Sequence, residues 1–404
     1  MPAATRAVTL ELLDVDVDLD DIARGDGYLF VRDGFGFAGR GVAARVAGDE
    51  AAEFLGAIDH DVGEGGPAVV GFAAIPFRPG DAYEVVVPEV VFGKSPDGRC
   101  WATVTGDEHV DFDAVVDSAL RIPPPPAPDT ASFTVGPAGA LGGYLAAVTA
   151  VRDAVRRGDL AKAVIAREVT VTSSAPISGR AVLARLRASF GSSYRYCIDG
   201  LIGASPELLV AVDGLTVRSN PLAGTAPRSG DPDTDARAAA RLLASTKDQI
   251  EHRVVIDAIY DALLPYCSYL DWQPEPTIMT VANVQHLATS MEGLLSQPRP
   301  DVCTLARLLR PTPALGGSPR GAALALIDEV EGFTRGRYGG AVGWLDAAGN
   351  GTFAVTIRCA ELSADRRSAR LVAGGGIVAD SDPLAELAET QAKFQAMLSA
   401  IVRP

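Results

Sequence analysis

The chain has 404 residues, enough for one large domain or two ordinary ones, and its 48% hydrophobic and 22% charged residues are typical of a folded globular protein. The formal net charge of −15 disfavours nucleic acid and anionic membrane surfaces as partners, because no basic run offsets it. Five scattered cysteines, an acidic N-terminus and the lack of an apolar run of transmembrane length predict a cytoplasmic protein with reduced thiols and no zinc site.

Residues 1–122 contain short β-type runs separated by Gly and Asp turns, and PPPPAP at 123–128 predicts a stiff, extended connector. We expect 1–122 to be an N-terminal subdomain of one globule that spans residues 1–404. After the connector the pattern predicts, in order, a helix at 143–159, a strand at 162–172, a helix near 178–189 and strands at 194–199, 201–204, 208–212 and 215–219.

The rest of the chain continues this separation of helices from strands. A helical region is predicted at 236–265, a meander of strands at 338–378 and a terminal helix at about 383–400. Consecutive strands with helices grouped apart from them predict an α+β fold with largely antiparallel sheet.

The helix that begins at KDQIEH has acidic residues on its apolar face. At 100° per residue, its apolar stripe is centred near Val255 and Ala258, with Glu251 in the middle of the stripe and Asp248 within it. A carboxylate that leaves water needs a partner, which can be a cation, a metal ion or a proton.

The terminal helix places Glu386, Glu389 and Lys393 on one face, at i, i+3 and i+7. By itself this face favours a solvated ion pair. Together with the pair on the earlier helix, however, it offers four carboxylates without clustered thiols or histidines, and such a set suits a hard cation such as Mg²⁺.

Three further side chains are candidates for chemistry. Lys162 shares a strand face with Val164 and Ala166, where it either reaches solvent or serves as a base. Glu207 follows Ser-Pro between two strands, and is either a rigidly held acid or a turn residue. His286 fits a core histidine better than a catalyst.

Two features suit the binding of an anion. In the predicted strand AVTIRCAEL, small side chains flank Arg358, which leaves room for a carboxylate above the sheet or else marks a rim arginine. The Gly374-Gly375-Gly376 run, expected just after the next strand, lets backbone N–H groups approach an anion, although alone it indicates only a turn.

Ten ordered blocks over roughly residues 135–400 resemble the chorismate-utilising enzyme family, which includes isochorismate, salicylate, anthranilate and aminodeoxychorismate synthases. The blocks are KAVIAR, GASPELL, NPLAGTAPR, KDQIEHRVVIDAI, VQHLAT, LRPTPALGGSPR, RGRYGGAVGW, TIRCAEL, AGGGIV and ETQAK. The resemblance implies that family's fold, with large, mostly antiparallel sheets in the core and helices outside. It assigns residues 135–400 to the catalytic region and leaves 1–122 as a part that varies within the family.

Local differences indicate which reaction the resemblance implies. Ala223 stands where aminodeoxychorismate synthases carry a nucleophilic lysine, and His252 follows Glu251 as in the members that use water. The PTPALGG block at 311–317 is similar to isochorismate synthases. The implied activity is Mg²⁺-dependent conversion of chorismate to isochorismate, an isomerase reaction, without a glutaminase subunit. The alternative is a salicylate synthase, which also eliminates pyruvate, and an inactive chorismate-binding protein is disfavoured.

The resemblance also implies roles for individual residues. Lys162 is the expected general base and Glu207 the expected general acid. Glu251 and Glu389 are the expected direct Mg²⁺ ligands, with Asp248 and Glu386 behind them through water. The expected substrate-binding residues are Ala223, Gly224, Thr225, His286, Ala314, Leu315, Tyr338, Arg358, Gly374, Gly375 and Lys393. We expect a monomer whose product supplies siderophore or menaquinone biosynthesis.

Overall fold

The computed structural model describes residues 5–402, with gaps at 14, 64–65, 108, 122–130 and 282–283. The predicted connector at 123–128 lies outside these described residues, so the division of the chain there stays a prediction. The elements before it are β1 (Arg6–Glu11), α1 (Leu19–Ala23), β2 (Tyr28–Arg32), β3 (Phe35–Arg40), β4 (Ala44–Ala47), α2 (Ala51–Gly56), β5 (Asp59–Val62), β6 (Val70–Ile75), β7 (Glu84–Val87), β8 (Val90–Lys94), β9 (Cys100–Gly106) and α3 (Phe112–Leu120).

The elements after the connector are strands separated by one or two helices at a time. Those up to the middle of this part are β10 (Phe133–Pro137), α4 (Leu141–Arg157), β11 (Lys162–Ser173), α5 (Gly179–Phe190), β12 (Tyr194–Ile198), β13 (Leu201–Ser205), β14 (Leu208–Asp213), β15 (Thr216–Asn220), β16 (Leu222–Pro227), α6 (Pro232–Ala244) and α7 (Thr246–Leu263). The remaining ones, after a 3₁₀ turn at Leu264–Tyr266, are β17 (Cys267–Trp272), β18 (Thr277–Thr280), β19 (Val284–Ala288), β20 (Met291–Leu295), α8 (Val302–Leu309), β21 (Gly317–Ser318), α9 (Arg320–Val330), β22 (Ala341–Asp346), β23 (Gly351–Val355), β24 (Cys359–Leu362), β25 (Ser368–Ile377) and α10 (Pro383–Val402).

The described strands form three sheets. The largest has the order β10-β11-β25-β24-β13-β12-β2-β3-β8-β9-β1-β5, with β21 also on β11; the second has the order β17-β20-β15-β14-β23-β22-β6-β7-β4; and β16, β19 and β18 form a third. Among these, only β1 and β5 pair in parallel. The prediction of an α+β fold with largely antiparallel sheets is confirmed. Strands from before the connector continue both large sheets, since β2 pairs with β12 and β6 with β22.

The large sheet is buried on both faces, and the side-chain alternation of its strands shows how. In β2, Tyr28 and Phe30 belong to the core shared with the second sheet, whereas Leu29 and Val31 belong to a core that includes residues of α1, α5 and α10. Because successive strand residues point to opposite faces, one strand contributes to both cores. Among the described residues no helix is long and apolar enough to cross a membrane.

The structure corrects three predicted elements. The helical region at 236–265 is two helices, because Ser245 ends α6 in an extended conformation and caps α7, its side chain accepting from the N–H of Asp248. The strand predicted through AVTIRCAEL is interrupted between β23 and β24 at residues 356–358. The three glycines at 374–376 lie inside β25, not in a turn after it, and pair with β11.

Candidate active site

A cavity of about 240 Å³ opens between β11 and β25 of the large sheet, the small third sheet, and helices α7 and α10. Its volume suits a small molecule. Of the predicted site residues, all but Gly375 line it: Lys162, Glu207, Ala223, Gly224, Thr225, Asp248, Glu251, His286, Ala314, Leu315, Tyr338, Arg358, Gly374, Glu386, Glu389 and Lys393. Residues up to 231 positions apart in the chain therefore meet around one space.

Lys162 is the first residue of β11 and is only 4% exposed. Its Nζ donates to Oε1 of Glu251 on α7 at 2.7 Å, so strand and helix are joined across the cavity. The lysine does not reach solvent along the strand face, and its amino group stays on the cavity wall.

Glu207 lies between β13 and β14, where Pro206 precedes it, and it is 3% exposed. Burial raises the pKa of its carboxyl to about 8, although the Leu222 N–H, 3.5 Å from Oε1, and the charges of Arg358 and Lys162 oppose the rise. At neutral pH this carboxyl is therefore mostly protonated and can donate a proton.

Arg358 has a left-handed backbone, with φ of +52°, which is uncommon for a residue with a side chain. Its carbonyl accepts from the N–H of Ala204 at 3.1 Å, and the preceding carbonyl of Ile357 accepts from the Tyr196 hydroxyl at 2.9 Å. These bonds hold the turn that interrupts the strand. Among the described residues, none accepts a hydrogen bond from the guanidinium, so its donors are available to an anion.

His286 on β19 is buried, and burial lowers its pKa to about 3, so the ring is neutral. Its Nδ1 lies 3.2 Å from the carbonyl oxygen of Gly224 and 3.1 Å from the hydroxyl of Thr225. Because the carbonyl can only accept, Nδ1 carries the proton and Nε2 is an acceptor.

Gly224 has φ of +70°, and a Cβ there would lie 3.2 Å from the Asp248 side chain.

The acidic residues of α10 differ in their surroundings. Burial raises the pKa of Glu386, whose Oε1 accepts from the Ser381 hydroxyl at 2.8 Å. Burial would also raise the pKa of Glu389, but the contact with Lys393, with Nζ at 2.6 Å, together with the charges of Arg358 and Lys247, outweighs burial and lowers that pKa. Lys393 also donates to the Gly374 carbonyl at 2.8 Å, which ties α10 to β25.

The glycines of β25 keep the space beside these acids open. A Cβ on Gly375 would lie 2.6 Å from Oε2 of Glu386, and one on Gly376 would lie 3.3 Å from Nζ of Lys162 and 3.4 Å from Oε1 of Glu251. Gly375 therefore contributes to the site through its missing side chain.

The residues present fit a hard divalent cation. Oε2 of Glu386 is buried without a hydrogen-bond partner among the described residues, and it faces the space beside Gly375. Among the described residues, no group of three or more His, Cys, Asp or Glu side chains is arranged to hold a metal ion without other ligands. This is compatible with Mg²⁺, which takes one or two carboxylates and fills its other positions with water and substrate oxygens.

The orientation of α7 differs from the prediction. Its buried residues are His252, Val255, Ile256, Ile259 and Leu263. The buried face is thus turned away from Glu251, whose side chain is 23% exposed and borders the cavity. A tertiary contact explains the rotation, since Nε2 of the buried His252 lies 2.8 Å from the Thr289 hydroxyl. His252 itself does not line the cavity.

Some cavity residues were not predicted, among them Val164, Pro206, Lys247, Ile357 and Phe394. Two of them carried a signal in the sequence. Val164 shares a strand face with Lys162, and Lys247 precedes Glu251 by four residues on α7.

Comparison with known proteins shows which family the chain resembles. The family model described as chorismate binding enzyme matches residues 122–402. Isochorismate synthase DhbC of Bacillus subtilis is 39% identical over 350 residues, covering 84% of this chain and 82% of the relative. Isochorismate synthase EntC of Escherichia coli is 44% identical over 243 residues, covering 59% of this chain and 61% of the relative.

A solved structure supports the same fold. The menaquinone-specific isochorismate synthase MenF of Escherichia coli superposes with a TM-score of 0.84 at 23% identity, covering 98% of this chain and 94% of that one. The family match extends over most of the chain, from before β10 to the end of α10. The chain therefore belongs to the chorismate-binding enzyme family.

Proposed function

We propose that this protein converts chorismate to isochorismate by adding water at C2 and releasing the hydroxyl group at C4. The observation that carries the proposal is that one cavity brings together a buried lysine amino group and a buried carboxyl with its pKa raised to about 8. Water addition needs a base and hydroxyl departure needs an acid, and the cavity offers one of each. The relatives named as isochorismate synthases support the same reaction.

Glu207 would be the general acid. Its carboxyl is held by the turn between β13 and β14 and by the Leu222 N–H. Because it is protonated at neutral pH, it can give its proton to the C4 hydroxyl as the C–O bond breaks, so that water leaves instead of hydroxide.

Lys162 would be the general base that accepts a proton from the attacking water. Its contact with Glu251, at 2.7 Å, fixes the position of Nζ on the cavity wall. A fixed donor–acceptor geometry of this kind reduces the entropy lost when water is oriented toward C2.

The substrate's two carboxylates would be bound by the positive charges that line the cavity besides Lys162. The guanidinium of Arg358 can meet a carboxylate with two parallel hydrogen bonds, and burial strengthens such a contact. Lys393 adds a second positive charge next to Gly374. Together these groups favour a dianionic substrate within a protein whose net charge is −15.

Glu251 and Glu389 would hold Mg²⁺ directly, and Asp248 and Glu386 would hold it through water. Bound there, the ion would neutralise the ring carboxylate of chorismate. Three of these carboxylates also contact side chains of the protein: Glu251 contacts Lys162, Glu389 contacts Lys393, and Glu386 accepts from Ser381.

Mg²⁺ is expected to raise the melting temperature, because it binds the folded chain and relieves repulsion among four carboxylates. The gain is about 2.7 kcal/mol when free Mg²⁺ is 100 times its Kd. Differential scanning fluorimetry with and without EDTA measures it. Glu389→Gln should reduce the shift, and Glu292→Gln, which changes an exposed acid paired with Arg218, should not. Equal shifts in both variants would contradict the assignment of Glu389.

Water is the expected nucleophile, so no glutaminase partner is required. Ala223 lines the cavity without a reactive side chain, which leaves no protein amine at this position to attack the ring. The alternative of a salicylate synthase gains no support from the relatives reported above. Isochorismate would supply siderophore or menaquinone biosynthesis, and the monomeric state stays a prediction.

Product identification tests the proposal. The protein is incubated with chorismate and Mg²⁺, and the products are separated by high-performance liquid chromatography. We expect isochorismate to accumulate, and we expect EDTA to stop its formation. Salicylate and pyruvate as the main products would replace the proposal with its alternative, and unchanged chorismate would refute both.

A further inference from the structure

The catalytic strand β11 lacks a neighbouring strand along the middle of one edge. At that edge β21 pairs with Lys162 and Ala163, and β10 pairs with residues 169–173. Val164 and Ala166 lie between these two partners and are 3% exposed each. Their outward backbone groups are out of water and need hydrogen-bond partners from elsewhere.

A buried ion pair supplies two of these partners, and a third is the carbonyl of Gly316, which accepts from the N–H of Val164 at 2.9 Å. Oε1 of Glu331 accepts from the N–H of Ala166 at 2.7 Å, and Nη2 of Arg335 donates to the carbonyl of Val164 at 2.6 Å. Nη1 of Arg335 donates to the carbonyl of Leu315 at 2.8 Å. Together with Gly316, these two side chains bond the edge of β11 where a neighbouring strand would otherwise pair. They also connect β11 to the segment that precedes β21.

The two side chains are held to one another in a fork. Nε of Arg335 donates to Oε2 of Glu331 at 2.8 Å, and Nη2 contacts Oε1. The guanidinium lies over the ring of Phe77, 4.3 Å from its centroid. Both charged side chains are at most 2% exposed. Burying two charges costs desolvation free energy that can exceed their mutual attraction, so the pair contributes little net stability. What it does provide is a fixed geometry.

The groups that this pair holds belong to the cavity. Val164 and Leu315 line it, Lys162 is two residues from Val164, and the N–H of Tyr338, another lining residue, donates to the Arg335 carbonyl at 3.3 Å. We propose that Glu331 and Arg335 are positioning residues, which set the distance between the strand that carries Lys162 and the Leu315 wall. The proposal rests on the proposed function, since its kinetic effect is read on chorismate turnover.

Arg335→Lys tests the role of the fork, because lysine keeps the charge but cannot reach both carbonyls and Glu331 together. We expect kcat to fall about 10- to 100-fold, the range for a small misplacement of a catalytic group. KM should change by less than about threefold, since Arg358 and Lys393, the groups proposed to bind the substrate carboxylates, are untouched.

A matched control removes a buried ion pair elsewhere. Arg195 and Asp20 contact one another with side chains 1% and 13% exposed, and neither lines the cavity. Asp20→Asn should lower the melting temperature as Arg335→Lys does, while kcat stays near that of the wild type. If kcat falls by the same factor in Asp20→Asn as in Arg335→Lys for the same loss of melting temperature, the Glu331–Arg335 pair is merely structural and the proposal fails.

The double variant Glu331→Leu with Arg335→Met removes the pair altogether. It ends the desolvation cost of the two charges, but it leaves the buried backbone groups of Val164, Ala166 and Leu315 without these partners, so the melting temperature should fall. We expect a folded protein whose kcat stays low, because nothing then anchors the carbonyls of Val164 and Leu315. Recovery of wild-type kcat would overturn the proposal, and if this variant does not fold, Arg335→Lys and its control decide alone.

Hydrogen exchange gives a reading that does not depend on turnover. In the wild type the Ala166 amide is bonded to Glu331, so exchange of that amide should be at least about tenfold slower than in Arg335→Lys. Equal exchange rates in the wild type and in Arg335→Lys would contradict the role of the ion pair in holding β11. Wild-type protein that does not convert chorismate would refute the proposed function, while the exchange result would still test the pair.

Discussion

The Lys162→Ala variant is expected to lose about 10²- to 10⁴-fold in kcat, the usual range for loss of a general base, with a much smaller rise in KM. The physical reason is that Lys162 lies buried at the cavity wall, whereas the residues proposed to bind the substrate carboxylates lie elsewhere, Arg358 in the turn between β23 and β24 and Lys393 on α10. Steady-state kinetics with saturating Mg²⁺ measure both constants.

Two checks accompany the Lys162 variant. Lys94→Ala removes a lysine whose Nζ contacts Asp16 and which lies outside the cavity, so its kcat should equal that of the wild type. Lys162 also contacts Glu251, so the Mg²⁺-dependent rise in melting temperature should be measured in Lys162→Ala and should persist. Near-normal kcat in Lys162→Ala would exclude it as the base.

The Glu207→Gln variant should lose a similar 10²- to 10⁴-fold in kcat and, in addition, one limb of its pH profile. Burial raises the pKa of Glu207 to about 8, so the acid form is present below that pH and is lost as the pH rises through it. Wild-type kcat/KM should therefore fall on the basic side near pH 8. Glutamine keeps the shape of the side chain but has no proton to give, so its residual rate should not show this fall.

A variant that is merely misfolded would lose rate at every pH, so loss of the fall near pH 8 is specific to removal of the acid. Glu292→Gln, at an exposed acid, provides the control and should keep both the rate and the basic limb. If Glu207→Gln retains the fall near pH 8, another group causes it, and the C4 hydroxyl receives its proton by a different path.

Most of the architecture could be predicted from local patterns. The strands from β11 to β15 and the meander from β22 to β25 follow the alternation of apolar and polar residues and the turn residues between them. Both catalytic candidates could be found in the same way, since Lys162 begins a strand face and Glu207 follows a Ser-Pro turn. The function depended on the ten ordered blocks, because spacing alone favoured a solvated ion pair on α10 over a metal site.

Other features depend on contacts between residues far apart in the chain. A continuous strand was predicted through Arg358, but hydrogen bonds from Ala204 and Tyr196 hold the chain in a turn that directs this arginine into the cavity. Helix α7 is rotated from its predicted orientation because His252 bonds Thr289.

The Glu331–Arg335 pair shows the same limit most clearly. In the sequence it is an ordinary i,i+4 pair, which is typical of a solvated helix end, and nothing local indicates that it is buried. The sequence by itself determined many of the strands and helices and which residue types are present for the chemistry. Only the tertiary structure decided which backbone groups of β11 lack a strand partner, because a missing hydrogen-bond partner is a property of the packed sheet and has no local periodicity.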